Sequence, residues 1–149
     1  MSDQAKSLIS ANPRETEALG AEIAVDLLPG DMVLLEGEVG TGKSTLIRSA
    51  LVALGVSGPI PSPTYTIGRS YKGDLPISHL DLHRIASIDA EDPGLLSEYF
   101  GDDRIVFVEW PGGSFETLEG MALRVLRLSL FHEGADRRRI VIAAMRRPS

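Results

Sequence analysis

Apolar and polar positions along the chain fall into two periods, and together they predict alternating strands and helices. Asp31-Met32-Val33-Leu34-Leu35-Glu36 is a short apolar run behind the turn signal Pro29-Gly30, with the length of a buried strand. Ile105-Val106-Phe107-Val108 is a second such run, ending at Glu109-Trp110-Pro111, with Gly112-Gly113 as its breaker. Leu46, Ile47, Ala50, Leu51 and Leu54 recur at helical spacing on one face, and Gly55 is placed to close that helix. An earlier helix opens at Asn12-Pro13-Arg14-Glu15, which reads as N-cap, N1 proline and acidic N3 position. It is expected to run to about Leu28, with Ala18, Leu19, Ile23 and Leu27 as its apolar stripe.

The remaining segments are read from weaker patterns. Lys6 to Ala11 reads as a first strand. Ser57 to Thr66 carries Gly58, Pro59, Pro61 and Pro63, too many breakers for a regular element, and is expected to be a loop beside the strand-to-helix turn. Tyr65 to Tyr71 and Leu75 to Leu82, joined through Lys72-Gly73-Asp74, read as a β-hairpin. Ser87 to Asp103 is polar and acidic, with a short helix expected through Leu95, Leu96, Tyr99 and Phe100. The tail reads as two strands, Ala122 to Phe131 and Arg137 to Met145, around a turn near His132 to Asp136. No internal repeat, low-complexity tract or linker divides the chain.

Composition narrows the class. With 149 residues, 43% hydrophobic and 24% charged, the chain reads as one domain large enough for a core. It has no cysteine, which excludes disulfides, thiolate zinc sites and thiol nucleophiles. No apolar run approaches a membrane span and the polar N-terminus lacks a secretory core, so a cytosolic protein without a membrane partner is expected. The net charge of −6 argues against extended nucleic-acid binding by the isolated domain, although a local basic patch could touch RNA within a complex.

The candidate chemistry sits between the first apolar strand and its helix. Gly37-Glu38-Val39-Gly40-Thr41-Gly42-Lys43-Ser44 fits G-x-x-x-x-G-K-[ST], the phosphate-cradling loop. Glycines let the backbone wrap closely with its N–H groups turned toward a phosphate chain. Lys43 supplies a point charge for the β- and γ-phosphates, the Ser44 hydroxyl can ligate Mg²⁺, and a helix starting near Gly42 adds its positive end. Strand, glycine loop and helix is the context that the motif requires.

Hydrolysis also needs a metal-holding acid and a group that orients water. Glu109 closes an apolar strand, where a second-strand (Walker B type) acid belongs; the alternative is a solvated strand-end carboxylate. Asp81 is its rival, in the polar cluster His79, Asp81, His83 and Arg84. Alternation puts His79, Asp81 and His83 on one face, but a zinc site lacks a third clear ligand, and a hydrogen-bonding cluster accounts for the histidines better. Thr64, in a proline-held loop, stands where a switch segment would sense the γ-phosphate or the metal; the alternative is an ordinary turn threonine. Trp110 is a core or rim aromatic placed to report on the site. Asn12 is the only Asn and Gln4 the only Gln, which rules out an N-K-x-D guanine-reading motif and a glutamine that orients water. Arg137-Arg138-Arg139 reads either as a phosphate or partner contact or as a solvated charge run opening an edge strand.

Together these residues resemble the TsaE (YjeE) family, the small bacterial ATPases of tRNA threonylcarbamoyladenosine synthesis. The resemblance covers roughly residues 12 to 145. It rests on Glu36 to Thr45, Ser62-Pro63-Thr64-Tyr65-Thr66, His79-Leu80-Asp81-Leu82-His83-Arg84 and Glu109-Trp110-Pro111, in that order and spacing. The chain departs from the family's usual Leu-Gly-Ala-Gly-Lys-Thr in the loop, and His83 replaces the tyrosine of H-x-D-x-Y-R.

The resemblance implies an α/β fold: a single-domain P-loop NTPase-like architecture with a mixed central β-sheet flanked by helices. It also implies ATP and Mg²⁺ as cofactors, and TsaD-like and TsaB-like proteins as partners, with tRNA reached through that complex rather than alone. In such proteins TsaD transfers a threonylcarbamoyl group to adenosine 37 of tRNAs reading codons that begin with A, while the ATPase resets the TsaB–TsaD pair. The implied nucleotide contacts are Glu38, Val39, Gly40, Thr41, Gly42, Lys43, Ser44 and Thr45, with Gly134 in the loop between the last two strands near the base. Ser44, Glu109 and Asp81 are the candidate metal ligands, and Lys43, Asp81, Glu109 and Thr64 the candidate catalytic residues. An ATP-gated binding module with incidental hydrolysis would use the same residues. A small-molecule kinase would need an arginine-bearing lid and a substrate pocket, neither of which the sequence offers convincingly.

Overall fold

In this computed structural model the described residues are 4–38, 40–57, 68–82, 97–110 and 115–146. They form one seven-stranded sheet with helices packed on it. The strands are β1 (Gln4–Ser10), β2 (Asp31–Gly37), β3 (Gly68–Lys72), β4 (Pro76–Asp81), β5 (Ile105–Glu109), β6 (Arg124–His132) and β7 (Arg138–Arg146). Helix α1 spans Pro13–Val25, α2 spans Lys43–Ala53, and α3 is a single turn and a half at Phe115–Glu119. The sheet order is β1-β7-β6-β2-β5-β4-β3. Its centre, β6-β2-β5-β4, is parallel, while β3, β7 and β1 add antiparallel edges. The expected mixed central sheet is observed.

Burial on both faces explains why the central strands read as continuous apolar runs. Val33 and Leu35 of β2, with Ile105 and Phe107 of β5, pack beneath Ile23 of α1 and Leu46, Ile47, Ala50 and Leu51 of α2. Met32 and Leu34, with Val106 and Val108, face the opposite layer with Leu118 and Ala122. Alternation therefore assigns His79 and Asp81 to the face of Ile77, and Glu109 to that of Phe107, both on the α2 side.

Most boundaries agree with the sequence reading. The Asn12 side chain accepts from the Glu15 amide at 2.9 Å and the Glu15 carboxylate accepts from the Ala11 amide at 2.9 Å, so the N-terminus of α1 is capped as expected. The helix ends at Val25 rather than Leu28, because the Leu28 amide donates to Asp31 at 2.7 Å and Leu28 precedes proline. Ala18 is exposed; the buried stripe is Thr16, Gly20, Ile23 and Ala24, with Leu27 following in the turn. Asp31 also holds Arg124 at 2.6 Å, joining β2 to β6.

The hairpin forms as β3 and β4, and the tail pairs as β6 and β7. Residues 97–99 form a turn, and Tyr99 and Phe100 pack against the second core layer; Leu95 and Leu96 lie outside the described residues. Helix α3 falls in a stretch for which the sequence gives no element. Its five residues, with only Phe115 and Leu118 apolar, are too short to show a helical period, although Leu118 is fully buried. No helix among the described residues is long and apolar enough to cross a membrane.

Candidate functional site

The carboxyl ends of β2, β5 and β4 lie side by side, the place where open α/β sheets gather ligands. From β2 the chain turns at Gly37 and re-enters a helix at Gly42. A Cβ on Gly37 would stand 2.7 Å from the Leu130 carbonyl oxygen and 2.8 Å from Thr41 Oγ1, so no larger residue fits there. Gly42, at φ 98°, is the N-cap of α2 in the left-handed region, which glycine adopts without strain. Buried Thr41 staples the loop from within: its hydroxyl donates to the Glu38 carbonyl at 2.7 Å. The first helical bond of α2 runs from the Leu46 amide to the Gly42 carbonyl at 2.9 Å. The amides of Lys43, Ser44 and Thr45 therefore have no acceptor within the helix, at its positive end.

Lys43 is the first residue of α2 and is only 6% exposed. Its ammonium donates to the Gly37 carbonyl and, at 3.1 Å, to that of Glu38, and it lies 4.0 Å from the centre of the Trp110 ring. Burial pushes the Lys43 ammonium below the usual lysine range, while the charges of Glu109 and then Asp81 oppose that shift. Ser44, one residue on, is exposed, and Thr45 is half-buried.

Glu109 ends β5 and is 4% exposed, not a solvated strand end. Its Oε2 lies 2.8 Å from Nε2 of buried His79 on neighbouring β4. The parallel register sets Asp81 directly beside Glu109. Three strand ends are then stitched together: the Trp110 amide donates to Leu35 at 2.9 Å and the Leu82 amide donates to Glu109 at 3.0 Å. Trp110 makes that turn at φ 58°, a conformation disfavoured for a bulky residue and held here by its neighbours.

The expected site residues are thus partly assembled. Lys43, Glu109, Asp81 and Trp110 meet at one end of the sheet, with Ser44 on the helix turn beside them. Gly134 sits in the β6–β7 turn at φ 98° with nothing within 4 Å of its would-be Cβ. That turn reaches the loop through Arg138, whose Nη2 donates to the Gly40 carbonyl at 3.0 Å. Of the three arginines left open in the sequence, Arg138 contacts the loop, and Arg139 instead pairs with Glu133 at 2.9 Å and lies over Phe131. Val39, Thr64, His83, Arg84 and the Ser62-Pro63 segment lie outside the described residues. Sequence reasoning placed His79 in a hydrogen-bonding cluster but gave no signal that its partner is Glu109.

The donor set suits a nucleotide and a hard cation. The loop and Lys43 present N–H donors to an anion, and the oxygen ligands at hand are one hydroxyl (Ser44) and two carboxylates (Glu109 and Asp81). Among the described residues no group of three or more His, Asp or Glu side chains forms a ready-made metal cage. Mg²⁺ characteristically takes one or two carboxylates and completes its shell with phosphate oxygens and water.

Comparison with known proteins gives a consistent picture. The family model for "Threonylcarbamoyl adenosine biosynthesis protein TsaE" matches residues 10–140. The tRNA threonylcarbamoyladenosine biosynthesis protein TsaE of Bacillus subtilis (strain 168) is 35% identical over 137 residues, covering 91% of this chain and 84% of that protein. The protein of the same name from Streptomyces coelicolor is 38% identical over 110 residues, covering 72% and 74%. Among solved structures, Bacillus subtilis YdiB superposes with a TM-score of 0.76 at 28% identity, over 97% of this chain and 88% of that one.

Proposed function

The chain belongs to the TsaE family of tRNA threonylcarbamoyladenosine biosynthesis, and from that premise we propose that it binds and hydrolyses Mg²⁺-ATP in support of TsaB-like and TsaD-like proteins. The observation that carries this reading is the buried Lys43 ammonium, set at the base of a glycine loop and within the field of the Glu109 and Asp81 carboxylates. A buried cation whose hydrogen bonds among the described residues go to backbone carbonyls is ready to exchange them for phosphate oxygens.

In this reading the loop amides and Lys43 hold the β- and γ-phosphates. Ser44 and Glu109 hold Mg²⁺ directly or through water, and Asp81 and Thr64 assist the metal or the attacking water. When bound, Mg²⁺ would supply positive charge to offset that on the reacting phosphates. The threonylcarbamoyl transfer itself belongs to the TsaD-like partner, tRNA is met through the complex, and the work is cytoplasmic.

Phosphate release from Mg²⁺-ATP tests the proposal, with the protein alone and with TsaB, TsaD and tRNA, and with Lys43→Ala and Glu109→Ala beside it. Stimulation by the partners that both variants lose is the expected result. Wild-type release by folded Glu109→Ala would return that residue to a purely structural role, and release independent of Lys43 would refute the site.

One observation favours a second reading, a nucleotide-gated binding module. Lys43 is already engaged by Gly37, Glu38 and Trp110, so taking up phosphate must rearrange the loop and can be signalled to a partner. A non-hydrolysable ATP analogue separates the two. A gate would sustain repeated rounds of tRNA modification with it, and a hydrolysis-coupled motor would stop.

A further inference from the structure

We propose that His79 is a positioning residue for Glu109, a role that rests on the Mg²⁺-ATPase reading above. The two side chains are 3% and 4% exposed and meet through Nε2 and Oε2 at 2.8 Å. In this role Nε2 is the donor and the Glu109 carboxylate the acceptor. His79 Nδ1 is buried and finds no partner among the described residues. Among the described residues the imidazole therefore makes one side-chain hydrogen bond, and it goes to Glu109.

Packing alone does not call for a histidine here. The position lies on the same strand face as Ile77, against the apolar layer under α2, where a leucine would fill space without burying an unpartnered nitrogen. The geometry instead matches an aiming device. His79 pairs across the ladder with Phe107, two residues before the Asp81–Glu109 pair, so its ring reaches Glu109 from the interior side of the sheet. Oε2 is engaged by that contact, and in the proposed role it orients the carboxylate so that Oε1 serves the metal or its water. Such outer partners orient metal-directed groups, and their loss typically costs about ten- to a hundredfold in affinity or activity.

The test compares His79→Gln, His79→Asn and His79→Leu, with circular dichroism and melting temperature verifying the fold. A glutamine amide nitrogen reaches about as far as Nε2, whereas that of asparagine stops near Nδ1. Turnover is read as kcat and KM for ATP. A second readout needs no turnover: Mg²⁺ is titrated in the presence of a non-hydrolysable ATP analogue and followed by fluorescence of Trp110, the only tryptophan in the chain.

The expected result is that Asn and Leu lower kcat and raise the half-saturating Mg²⁺ by about tenfold or more. KM should stay close to wild type in both, and Gln should restore kcat and the Mg²⁺ response. A folded Asn or Leu variant matching wild type in both readouts overturns the role, as does Gln failing alongside Asn. If Leu does not fold, the Gln and Asn pair decides. A wild-type protein with no Mg²⁺ response overturns the ATPase reading and this role together, whereas a normal wild-type response with unaffected variants overturns the role alone.

Discussion

The Lys43 ammonium lies 4.0 Å from the centre of the Trp110 ring, and this pairs the loop's one cation with the chain's one tryptophan. A cation over an indole face contributes about 0.5–2 kcal/mol, which is comparable to one hydrogen bond and weaker than two or three charge-assisted bonds to phosphate. Nucleotide should therefore draw Lys43 away from the ring. Titration with ATP is expected to change Trp110 emission saturably, and Lys43→Ala should abolish the change and weaken binding by well over tenfold, since a charge-assisted contact is worth about 1.5–3 kcal/mol. Unchanged affinity of that variant by calorimetry would remove Lys43 from the phosphate site.

The same burial sets a pH dependence with two opposite signs. Desolvation lowers the Lys43 pKa below its ordinary 10.5 in the folded chain. Phosphate binding needs the protonated amine, so ATP affinity should begin to fall at a lower pH than an ordinary lysine would give. Folding responds the other way. Between the lowered folded value and 10.5 the unfolded chain holds the proton more tightly, so Lys43's contribution to stability rises with pH. Melting of wild type against Lys43→Met, and ATP affinity of wild type, both followed from about pH 8 to 10, measure the two trends. An affinity that is flat across that range would show that Lys43 titrates like a surface lysine.

Gly20 controls how closely α1 approaches α2. A Cβ there would stand 2.4 Å from the Leu46 carbonyl oxygen, a backbone atom that cannot swing aside. Alanine gains roughly 1 kcal/mol of helix propensity over glycine, but overpacking costs about 1–3 kcal/mol and here strikes backbone. Gly20→Ala should lower the melting temperature by roughly 2–8 °C, and the displaced α2 should also weaken ATP binding. A variant more stable than wild type would mean that the helices separate freely.

What could be read from sequence follows from how far apart the interacting residues are. β2, α2 and β5 were legible because burial on both faces makes a continuous apolar run and one-sided burial a helical stripe. Glu109 was legible because a strand end beside a phosphate loop is a place of known chemical use. The His79–Glu109 contact was not, because it depends on β4 lying next to β5, a matter of sheet order that local pattern does not encode. The close approach at Gly20 depends on where α2 crosses α1, and the end of α1 is set by Asp31 capturing the Leu28 amide, a side-chain contact invisible to periodicity. The left-handed turn at Trp110 has no sequence signal at all, since tryptophan is a poor choice for it.

Arg138 shows the same limit most plainly, because the chain separates it from Gly40 by 98 residues. Within Arg137-Arg138-Arg139 three identical side chains do different things. Arg138 is half-buried and donates to Gly40 at 3.0 Å, to Ala135 at 2.8 Å and to Arg137 at 2.9 Å, all backbone carbonyls. It therefore braces the β6–β7 turn and ties it to the glycine loop at once. Hydrogen bonds from a charged donor to exposed carbonyls contribute about 0.5–1.5 kcal/mol each, and only the bond to Gly40 bears on the loop. Arg138→Ala should weaken ATP binding by about two- to tenfold, while Arg137→Ala, on an exposed side chain, should leave it unchanged. Lysine at 138 supplies the charge but not a planar fork able to reach Gly40 and the two turn carbonyls together, so Arg138→Lys should recover only part of the affinity. Equal losses in the alanine variants at 137 and 138 would show that the run acts through its summed charge, and the tie to Gly40 would then carry no share of binding.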